Sequence, residues 1–192
     1  MDEPLTPERF AELLRASYLA ADERLCAQFE RSLPFQDAMF DRWERARRLG
    51  FAPDASVYNS AAVFGRVSVG AATWIGPNTL LDGSGGGIEI GAHCSISSGV
   101  HIYTHDTVLW ALSGGRCLRR EAPVRIGDCV YIGSQSVIAA GVTIGSRCVV
   151  AANSFVNEDM PEATIFGGTP ARKIGSVVGE GEQVRMLFDS KG

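Results

Sequence analysis

The chain has 192 residues and a mixed, moderately apolar composition, which suits one domain with an ordinary hydrophobic core. Its formal net charge of −4 comes from interspersed acidic and basic residues, which excludes the basic stripe by which nucleic-acid-binding proteins track phosphates. Five cysteines without a C-x-x-C pair fit free thiols in a reducing compartment better than a disulfide framework, and no apolar run approaches the ~20 residues of a membrane span. Because the opening segment MDEPLTPERF also lacks the apolar stretch of a secretion signal, we expect a cytoplasmic protein.

Residues 1–54 are predicted to form an N-terminal helical region. Thr6 has the side chain of an N-cap, Pro7 stands at the first helical position, and apolar residues follow at three- and four-residue steps. A second helix is predicted from Pro34 to Gly50, with arginines in its last turns. We interpret these arginines as complementing the helix dipole, and we expect the helices to cover part of the remaining fold.

A six-residue repeat begins at Val57. An aliphatic residue recurs at every sixth position, glycine often follows it, and a small or β-branched residue stands four places after it. The aliphatic series is Val57, Val63, Val69, Ile75, Leu81, then Ile90, Ile96, Ile102, then Ile126, Ile132, Ile138, Ile144, Val150 and Val156. A unit of six residues cannot bury its apolar side alone, so neighbouring units must stack. The repeat therefore predicts an all-β solenoid of about six coils over residues 55–175, followed by a tail at 176–192.

The repeat is interrupted twice, and both interruptions are candidate sites. The step from Leu81 to Ile90 is nine residues instead of six because of the segment DGSGGG. Residues 103–125 lack the aliphatic register and are predicted to leave the coil as an extended loop. Loops on a rigid scaffold often carry functional residues, and His105 stands at the start of this one. A histidine in this position has the chemistry of a general base.

The repeat [LIV]-G-x-x-[STAV]-x, the segment IYTHDT and the ending FGGTPARKIG resemble those of the hexapeptide-repeat acyltransferases. Within that group the chain is most similar to maltose- and galactoside-type sugar O-acetyltransferases and to acetyltransferases of polysaccharide biosynthesis. The resemblance covers roughly residues 55–175 and implies a left-handed parallel β-helix, a handedness that no feature of the repeat itself determines. It also implies acetyl-CoA as the acyl donor and a homotrimer with active sites between subunits.

The same resemblance assigns three catalytic positions. His105 matches the histidine that removes the proton of the acceptor hydroxyl, and Ser134 in VYIGS matches the serine at the thioester. For the carboxylate that orients the histidine, the loop offers Asp106 beside His105 and Glu121 near its far end. Glu121 is the expected one, although its spacing departs from the family pattern, and ordinary solvation in the loop is the alternative for both. His101 precedes Ile102, which should point into the coil, so His101 is expected on the outer face, either solvated or lining the groove.

Small residues and two cations match the positions that hold CoA in the family. They are Ala139, Gly141, Ala151, Ala152 and Ser154, followed by Thr169, Pro170, Ala171, Arg172 and Lys173. Small side chains let the donor approach the backbone, and fixed cations suit its phosphates. One departure weakens this match, because Glu158 stands in the segment VNED where relatives carry a cation.

The acceptor pocket is predicted from the two interruptions. Asp82 is a candidate partner for a sugar hydroxyl or an amine, and a turn-stabilising role is equally consistent with its position. Trp110 offers a flat face to a sugar ring or to a neighbouring subunit, and His101 and Tyr103 complete the predicted set. No metal is expected, because a zinc site needs a third convergent ligand that the spacing of the histidines does not supply.

The function expected from these observations is transfer of an acetyl group from CoA to a hydroxyl of a sugar or glycoconjugate. The main alternative is N-acetylation of an amino sugar or a nucleotide-linked amino sugar, in which Asp82 would face the amine. A non-catalytic β-helix that serves as an assembly platform and a metal-dependent lyase are weaker alternatives.

Overall fold

The computed structural model describes residues 5–189, so the first four residues of the predicted helical region 1–54 and the last three of the predicted tail 176–192 lie outside it. The α-helices of the described part are α1 Pro7–Phe29, α2 Phe35–Met39, α3 Arg42–Arg48 and α4 Val108–Leu112. The strands up to the end of the second interruption are β1 Ser56–Val57, β2 Ala62–Val69, β3 Trp74–Ile75, β4 Leu80–Ile90, β5 Ser95–Ile96, β6 His101–Tyr103, β7 His105–Asp106 and β8 Arg120–Glu121. The remaining strands are β9 Val124–Ile126, β10 Tyr131–Ile132, β11 Val137–Ile138, β12 Thr143–Ile144, β13 Val149–Val150, β14 Phe155–Val156, β15 Thr164–Gly168, β16 Ala171–Val178 and β17 Arg185–Phe188. A 3-10 turn at Gly181–Gln183 precedes β17.

Three parallel ladders run along the molecule and close it into a coil. The first ladder joins β1, β3, β5, β10, β13 and β15 in that order. The second joins the first part of β4 to β6, β11 and β14, and the third joins the last part of β4 to β9 and β12. Strand β2 pairs with β4 along both parts. The six strands of the first ladder correspond to the predicted coils, so the parallel β-solenoid is confirmed.

The aliphatic positions of the repeat form the interior of the coil. Their side chains stack along its axis, and Ile75, Ile96 and Ile132 are completely buried. Burial of one such side chain contributes about 1.5–3 kcal/mol, so the stack is the main source of stability. The small residues four places later also point inward, and Thr79 donates its hydroxyl to the carbonyl of Gly76 at 3.1 Å. These contacts confirm the inward face that the six-residue period predicts.

The glycines that follow the aliphatic residues allow neighbouring coils to approach closely. A Cβ added to Gly76 would lie 2.8 Å from the backbone nitrogen of Ser98 in the next coil. One added to Gly133 would lie 2.8 Å from the Cα of Ala152. Both distances are too short for a side chain facing a fixed backbone, so glycine relieves crowding at these positions. His93 lies exposed in a turn between coils, with a φ of 55°.

The helices cover the N-terminal end of the coil in part. Helix α1 begins as predicted, and the hydroxyl of Thr6 accepts a hydrogen bond from the backbone N–H of Arg9 at 3.3 Å. The second predicted helix is divided into α2 and α3, because Phe40 is extended and Asp41 caps α3. Within α1 only Ala21 is buried, so α3 supplies most of the cover.

Arg45 joins α3 to the first coil. Its guanidinium donates hydrogen bonds to the carbonyls of Tyr58 and Ala61, the second at 2.7 Å. Burial of this group lowers the pKa of Arg45, an effect that the charge of Asp37 partly offsets. The arginines at the end of α3 therefore include a structural anchor in addition to partners for the helix dipole.

Both the second interruption and the C-terminal segment contain regular structure. Between β6 and β9 the chain forms β7, α4 and β8, and β7 pairs with β8 in antiparallel orientation. The extended loop predicted for 103–125 therefore carries elements that the missing aliphatic register does not indicate. The described part of the predicted tail completes β16 and forms β17, which pairs with β16 as an antiparallel hairpin.

Candidate active site

The first interruption of the repeat forms a bulge in β4 instead of a loop. Strand β4 remains paired with β2 on both sides of it, at Gly83 and at Ile88. Between these two pairs β2 has one residue and β4 has four, Ser84 to Gly87, which accounts for the longer step in the sequence. A bulge of this kind changes the direction of the side chains beside it. This bulge lies next to His105.

The bulge and the start of the second interruption are fixed relative to each other. A Cβ on Gly85 would lie 2.6 Å from the Cβ of His105 and would also meet the carbonyl oxygen of Thr104. Thr104 is fully buried, and its hydroxyl donates to the carbonyl of Asp82 at 2.7 Å and accepts from the N–H of Gly85 at 2.8 Å. Glycine and this buried hydroxyl therefore bring the two interruptions into contact.

His105 lies beside Asp82 and Ser84. Its Nδ1 is 3.4 Å from the Oγ of Ser84 and 3.7 Å from the Oδ2 of Asp82. The Oδ1 of Asp82 accepts the hydroxyl of Ser84 at 2.6 Å and the backbone N–H of Ser84 at 3.1 Å. The side chains of His105 and Asp82 are 21% and 12% exposed, so the pair is mostly shielded from solvent. A carboxylate in this place stabilises the imidazolium that forms when a histidine accepts a proton.

Glu121 does not occupy the place that the sequence predicts for it. It is the ladder partner of His105 across β7 and β8, but its carboxylate binds Arg119, with Oε1 and Nε 2.5 Å apart. The same arginine donates from Nη2 to the carbonyl of Ser84 at 3.4 Å. In the structure Asp82 contacts the His105 ring, and Glu121 holds Arg119 against the bulge.

His101 and Tyr103 lie together on the outer face of β6. Ile102 between them is fully buried, so the predicted alternation is observed. The hydroxyl of Tyr103 is 3.3 Å from the Nδ1 of His101, and the two rings meet edge to face at 6.0 Å. His101 is therefore partnered by Tyr103, whereas His105 is partnered by residues of the bulge.

Trp110 lies in α4, on the surface of the second interruption. The residue is 52% exposed. It lines an open cleft of about 740 Å³ together with residues of both arms of the interruption, which are Thr107, Leu118, Arg119 and Glu121. Because β7 and β8 form one ribbon, this cleft and His105 belong to the same excursion from the coil.

Ser134 lies at a different corner of the coil from His105. The two residues stand at opposite ends of the second ladder, since Ser134 precedes β11 and His105 follows the adjacent strand β6. The N–H of Gln135 donates to the carbonyl of Ser98, so Ser134 lies beside Ser98 in the neighbouring coil. Ser98 begins the face of the coil that contains β6, and His105 ends that face. At ~3.3 Å per residue the two corners are roughly 20 Å apart. One chain therefore does not bring these two predicted catalytic residues together.

The predicted CoA-binding residues are divided in the same way. Ala139 and Gly141 follow β11 at the corner of His105, and a Cβ on Gly141 would contact the Cβ of Ala122 at 3.3 Å. The others lie at the corner of Ser134 or in the adjoining hairpin, and they are Ala151, Ala152, Ser154, Thr169, Pro170, Ala171, Arg172 and Lys173. Two members of this second group, Ser154 and Ala171, are buried, so they serve packing within the chain instead of contacting a ligand on its surface.

Arg172, one of the two predicted phosphate-binding cations, already has a partner. Its Nη1 is 3.3 Å from the Oε1 of Glu158. Both side chains are about half exposed, and ion pairs of this kind contribute little to stability. Glu158 therefore offsets part of the charge of Arg172.

Comparisons with known proteins identify the family. A model described as bacterial transferase hexapeptide (six repeats) matches residues 123–158. The hexapeptide-repeat acetyltransferase VCA0836 from Vibrio cholerae, solved in complex with acetyl coenzyme A, is 33% identical, with 92% of each chain covered and a TM-score of 0.64. The chain belongs to the hexapeptide-repeat transferase family. Its coil is the left-handed parallel β-helix of that family, as the resemblance predicts.

Two further relatives of this hexapeptide-repeat protein bear on its function. Protein CapG from Staphylococcus aureus is 42% identical over 97 residues, which are 47% of this chain and 53% of CapG. The chain thus spans about half the length of that curated relative. A variant of AntD, an N-acyltransferase from Bacillus cereus solved with dTDP and coenzyme A, is 25% identical, with 69% of this chain and 88% of AntD covered and a TM-score of 0.60. AntD is named for transfer to nitrogen, so the fold alone does not determine the acceptor.

Two features of other kinds of protein are absent from residues 5–189. No group of three or more histidine, cysteine, aspartate or glutamate side chains within that range is arranged to hold a metal ion. No helix in the same range is long and apolar enough to cross a membrane.

The sequence motifs of this hexapeptide-repeat chain do not indicate Ser84, Thr104 or Arg119. The nine-residue step indicates that the segment is unusual, and its single serine among glycines is the available signal. Only the pairing of β4 with β2 and β6 shows that the bulge turns Ser84 toward His105.

Proposed function

We propose that this protein is a CoA-dependent acyltransferase that moves an acetyl group to a hydroxyl of a sugar or glycoconjugate. The observation that carries the proposal is the placement of His105 at the start of the second interruption, with Asp82 and Ser84 on the Nδ1 side of its ring. No group within residues 5–189 is hydrogen-bonded to Nε2 of His105, which leaves that nitrogen for a ligand. The acetyl coenzyme A complex of VCA0836 supports acetyl-CoA as the donor. The exposed ring of Trp110 in the neighbouring cleft supports a sugar acceptor, because aromatic faces pack against the apolar faces of such rings.

The proposed transfer is a direct attack on the thioester. Nε2 of His105 takes the proton of the acceptor hydroxyl while the oxygen forms a bond to the thioester carbonyl carbon. The negative charge on the carbonyl oxygen requires hydrogen-bond donors. Ser134 is the proposed source, because the residue is partly exposed and its backbone N–H has no acceptor within residues 5–189. The intermediate then breaks its C–S bond, and the thiolate takes the proton from His105 to give CoA and the acetyl ester.

We propose further that the active site lies between subunits of a homotrimer. The corner with His105 and Gly141 and the corner with Ser134 and Ala152 are separated by one face of the coil. A cyclic assembly that sets the first corner of one copy against the second corner of the next would unite the two groups at every interface. The division of the predicted residues between two corners supports this arrangement, since neither corner alone holds the complete set.

N-acylation of an amino sugar is the second candidate function, and the similarity to AntD supports it. One version of this function has Asp82 bind the amine of the acceptor. The contacts of the Asp82 carboxylate disfavour that version. Its Oδ1 accepts two hydrogen bonds from Ser84, and its Oδ2 lies beside His105. A hydroxyl acceptor needs no free carboxylate, so the contacts favour O-acylation.

The test is a screen of the purified protein with acetyl-CoA and a panel of sugars paired with the corresponding amino sugars. CoA release gives the rate, and mass spectrometry of the product shows whether oxygen or nitrogen is acetylated. His105→Ala should lower turnover by about 10²- to 10⁴-fold. His93→Ala is the matched control, because His93 lies exposed in a turn, and it should retain the wild-type rate. Undiminished turnover in His105→Ala would refute the mechanism, and exclusive acetylation of amines would select the second candidate.

Binding of the donor is tested separately by thermal unfolding. A ligand that binds only the folded state raises the apparent Tm. Acetyl-CoA should therefore stabilise the protein, and the shift should be retained in His105→Ala. If acetyl-CoA neither raised the Tm nor was consumed with any acceptor of the panel, the proposed activity would be wrong.

A further inference from the structure

We propose that Ser84 is a positioning residue that couples Asp82 to His105 and keeps the imidazole proton on Nδ1. The inference rests on the proposed function, in which Nε2 of His105 is the base. It extends that proposal by giving a role to the serine of the bulge in β4.

The directions of the hydrogen bonds follow from the groups that take part. The Oγ of Ser84 and the Oδ1 of Asp82 are 2.6 Å apart, and an ionised carboxylate only accepts, so the serine donates its proton to Asp82. A hydroxyl has one proton, so toward His105 the same oxygen acts only as an acceptor. The Oδ2 of Asp82, on the same side of the ring, is an acceptor as well. Both neighbours of Nδ1 therefore accept, which places the proton on Nδ1 and leaves the lone pair of the neutral ring on Nε2.

Ser84 is the nearer of the two acceptors. Its Oγ is 3.4 Å from Nδ1, compared with 3.7 Å for the carboxylate oxygen. The charge of Asp82 thus acts on the His105 ring in two ways. It acts directly, and it also polarises the hydroxyl of Ser84, which lies beside the ring. A serine in this relay orients the imidazole without contacting the substrate.

The backbone holds Ser84 in place without help from its side chain. Its N–H donates to Asp82 at 3.1 Å, and its carbonyl accepts from Arg119 at 3.4 Å. The following residue, Gly85, is bonded to the buried hydroxyl of Thr104. Ser84 itself is exposed and contributes nothing to the core, so we expect Ser84→Ala to fold with the bulge intact.

The direct test is ¹⁵N NMR of the histidine rings in the free protein. The chain has three histidines, so the signals of His105 can be assigned by comparison with His105→Ala. At a pH where the ring is neutral, the wild type should show a protonated Nδ1 and an unprotonated Nε2. Ser84→Ala should show a measurable fraction of the opposite tautomer, whereas Ser84→Thr, which keeps the hydroxyl, should resemble the wild type. An unchanged tautomer in Ser84→Ala would overturn the inference.

Kinetics provide the second readout. Loss of one hydrogen bond that orients the base should lower kcat by about 3- to 10-fold in Ser84→Ala and leave the KM for acetyl-CoA within about twofold. Ser84→Thr should restore kcat. Ser68→Ala is the matched control, because Ser68 is exposed on the neighbouring strand β2, and it should behave as the wild type. Equal kcat values in Ser84→Ala and the wild type would contradict the coupling.

The outcomes separate this inference from the proposed function. Activity that persists in His105→Ala would refute the proposed base, whatever the tautomer measured in the free protein. Inactive His105→Ala together with a normal Ser84→Ala would refute only the role of Ser84. If Ser84→Ala lost its cooperative unfolding transition, Ser84→Thr and Ser84→Cys would carry the test. The threonine should keep the Nδ1–H form and the cysteine, a weak donor, should not, and the reverse result would overturn the inference.

Discussion

Replacement of Asp82 by asparagine removes the negative charge beside His105 while keeping the size of the side chain. The Oδ2 of Asp82 and the Nδ1 of His105 are 3.7 Å apart. When His105 takes a proton in the proposed reaction, Coulomb's law gives an attraction of about 1 kcal/mol in water and about 4.5 kcal/mol at an effective dielectric constant of about 20. Because both side chains are mostly but not completely shielded, we expect Asp82→Asn to lose about 2–3 kcal/mol of transition-state stabilisation. This corresponds to a fall of about 30- to 150-fold in kcat/KM.

The assay is the initial rate of CoA release with acetyl-CoA and the acceptor that the screen identifies. Asp128→Asn is the matched control, because this carboxylate also caps a turn, where its Oδ1 accepts the N–H of Ala92 at 2.7 Å. Its kcat/KM should stay within about twofold of the wild type, since Asp128 is not among the residues that contact the His105 ring.

Glu121→Gln completes the comparison between the two candidate carboxylates. The Glu121 side chain binds Arg119, so its loss should lower kcat/KM less than Asp82→Asn does. Retention of at least half of the wild-type kcat/KM in Asp82→Asn, or a larger loss in Glu121→Gln, would refute the role assigned to Asp82.

Gly85→Ala should lower kcat at least tenfold in a folded protein, because the new Cβ meets the backbone beside His105; a folded variant with the wild-type kcat would show that the close approach is dispensable. Ile132→Ala removes a fully buried side chain and should lower the free energy of unfolding in urea by about 2–5 kcal/mol, and a loss below about 1 kcal/mol would contradict the stacked core. Glu158→Gln should release Arg172 and lower the KM for acetyl-CoA by about two- to fivefold with little change in kcat, and an unchanged KM would argue against phosphate binding by this arginine.

The solenoid could be predicted in some detail because its physical requirement is periodic. Every coil must bury one aliphatic side chain on each face, so residues such as Ile75 and Ile132 recur at a spacing of six. The glycine after Ile75 and after Ile132 reflects a second local requirement, the close contact between neighbouring coils. The beginning of α1 was predictable for the same reason, since Thr6 and Pro7 act within one helical turn.

The structure inside the two interruptions could not be predicted in this way. No period relates β7 to β8 or defines α4, and the division between α2 and α3 depends on a single capping residue, Asp41. The position of α1 also depends on contacts that a helical pattern does not specify, and only Ala21 of that helix is buried.

The sequence alone determined the six-coil solenoid and the two places where the repeat breaks, because both depend on local pattern. It also indicated His105 as the candidate base, because that residue stands in a recognisable motif. The partner of His105 was decided by the tertiary structure. Glu121 is closer to His105 in the sequence than Asp82 is, but parallel coils place residues from successive turns side by side, and Asp82 lies one ladder step from Tyr103. The separation of His105 from Ser134 has the same origin, because a coil places residues at different corners according to their position within a turn.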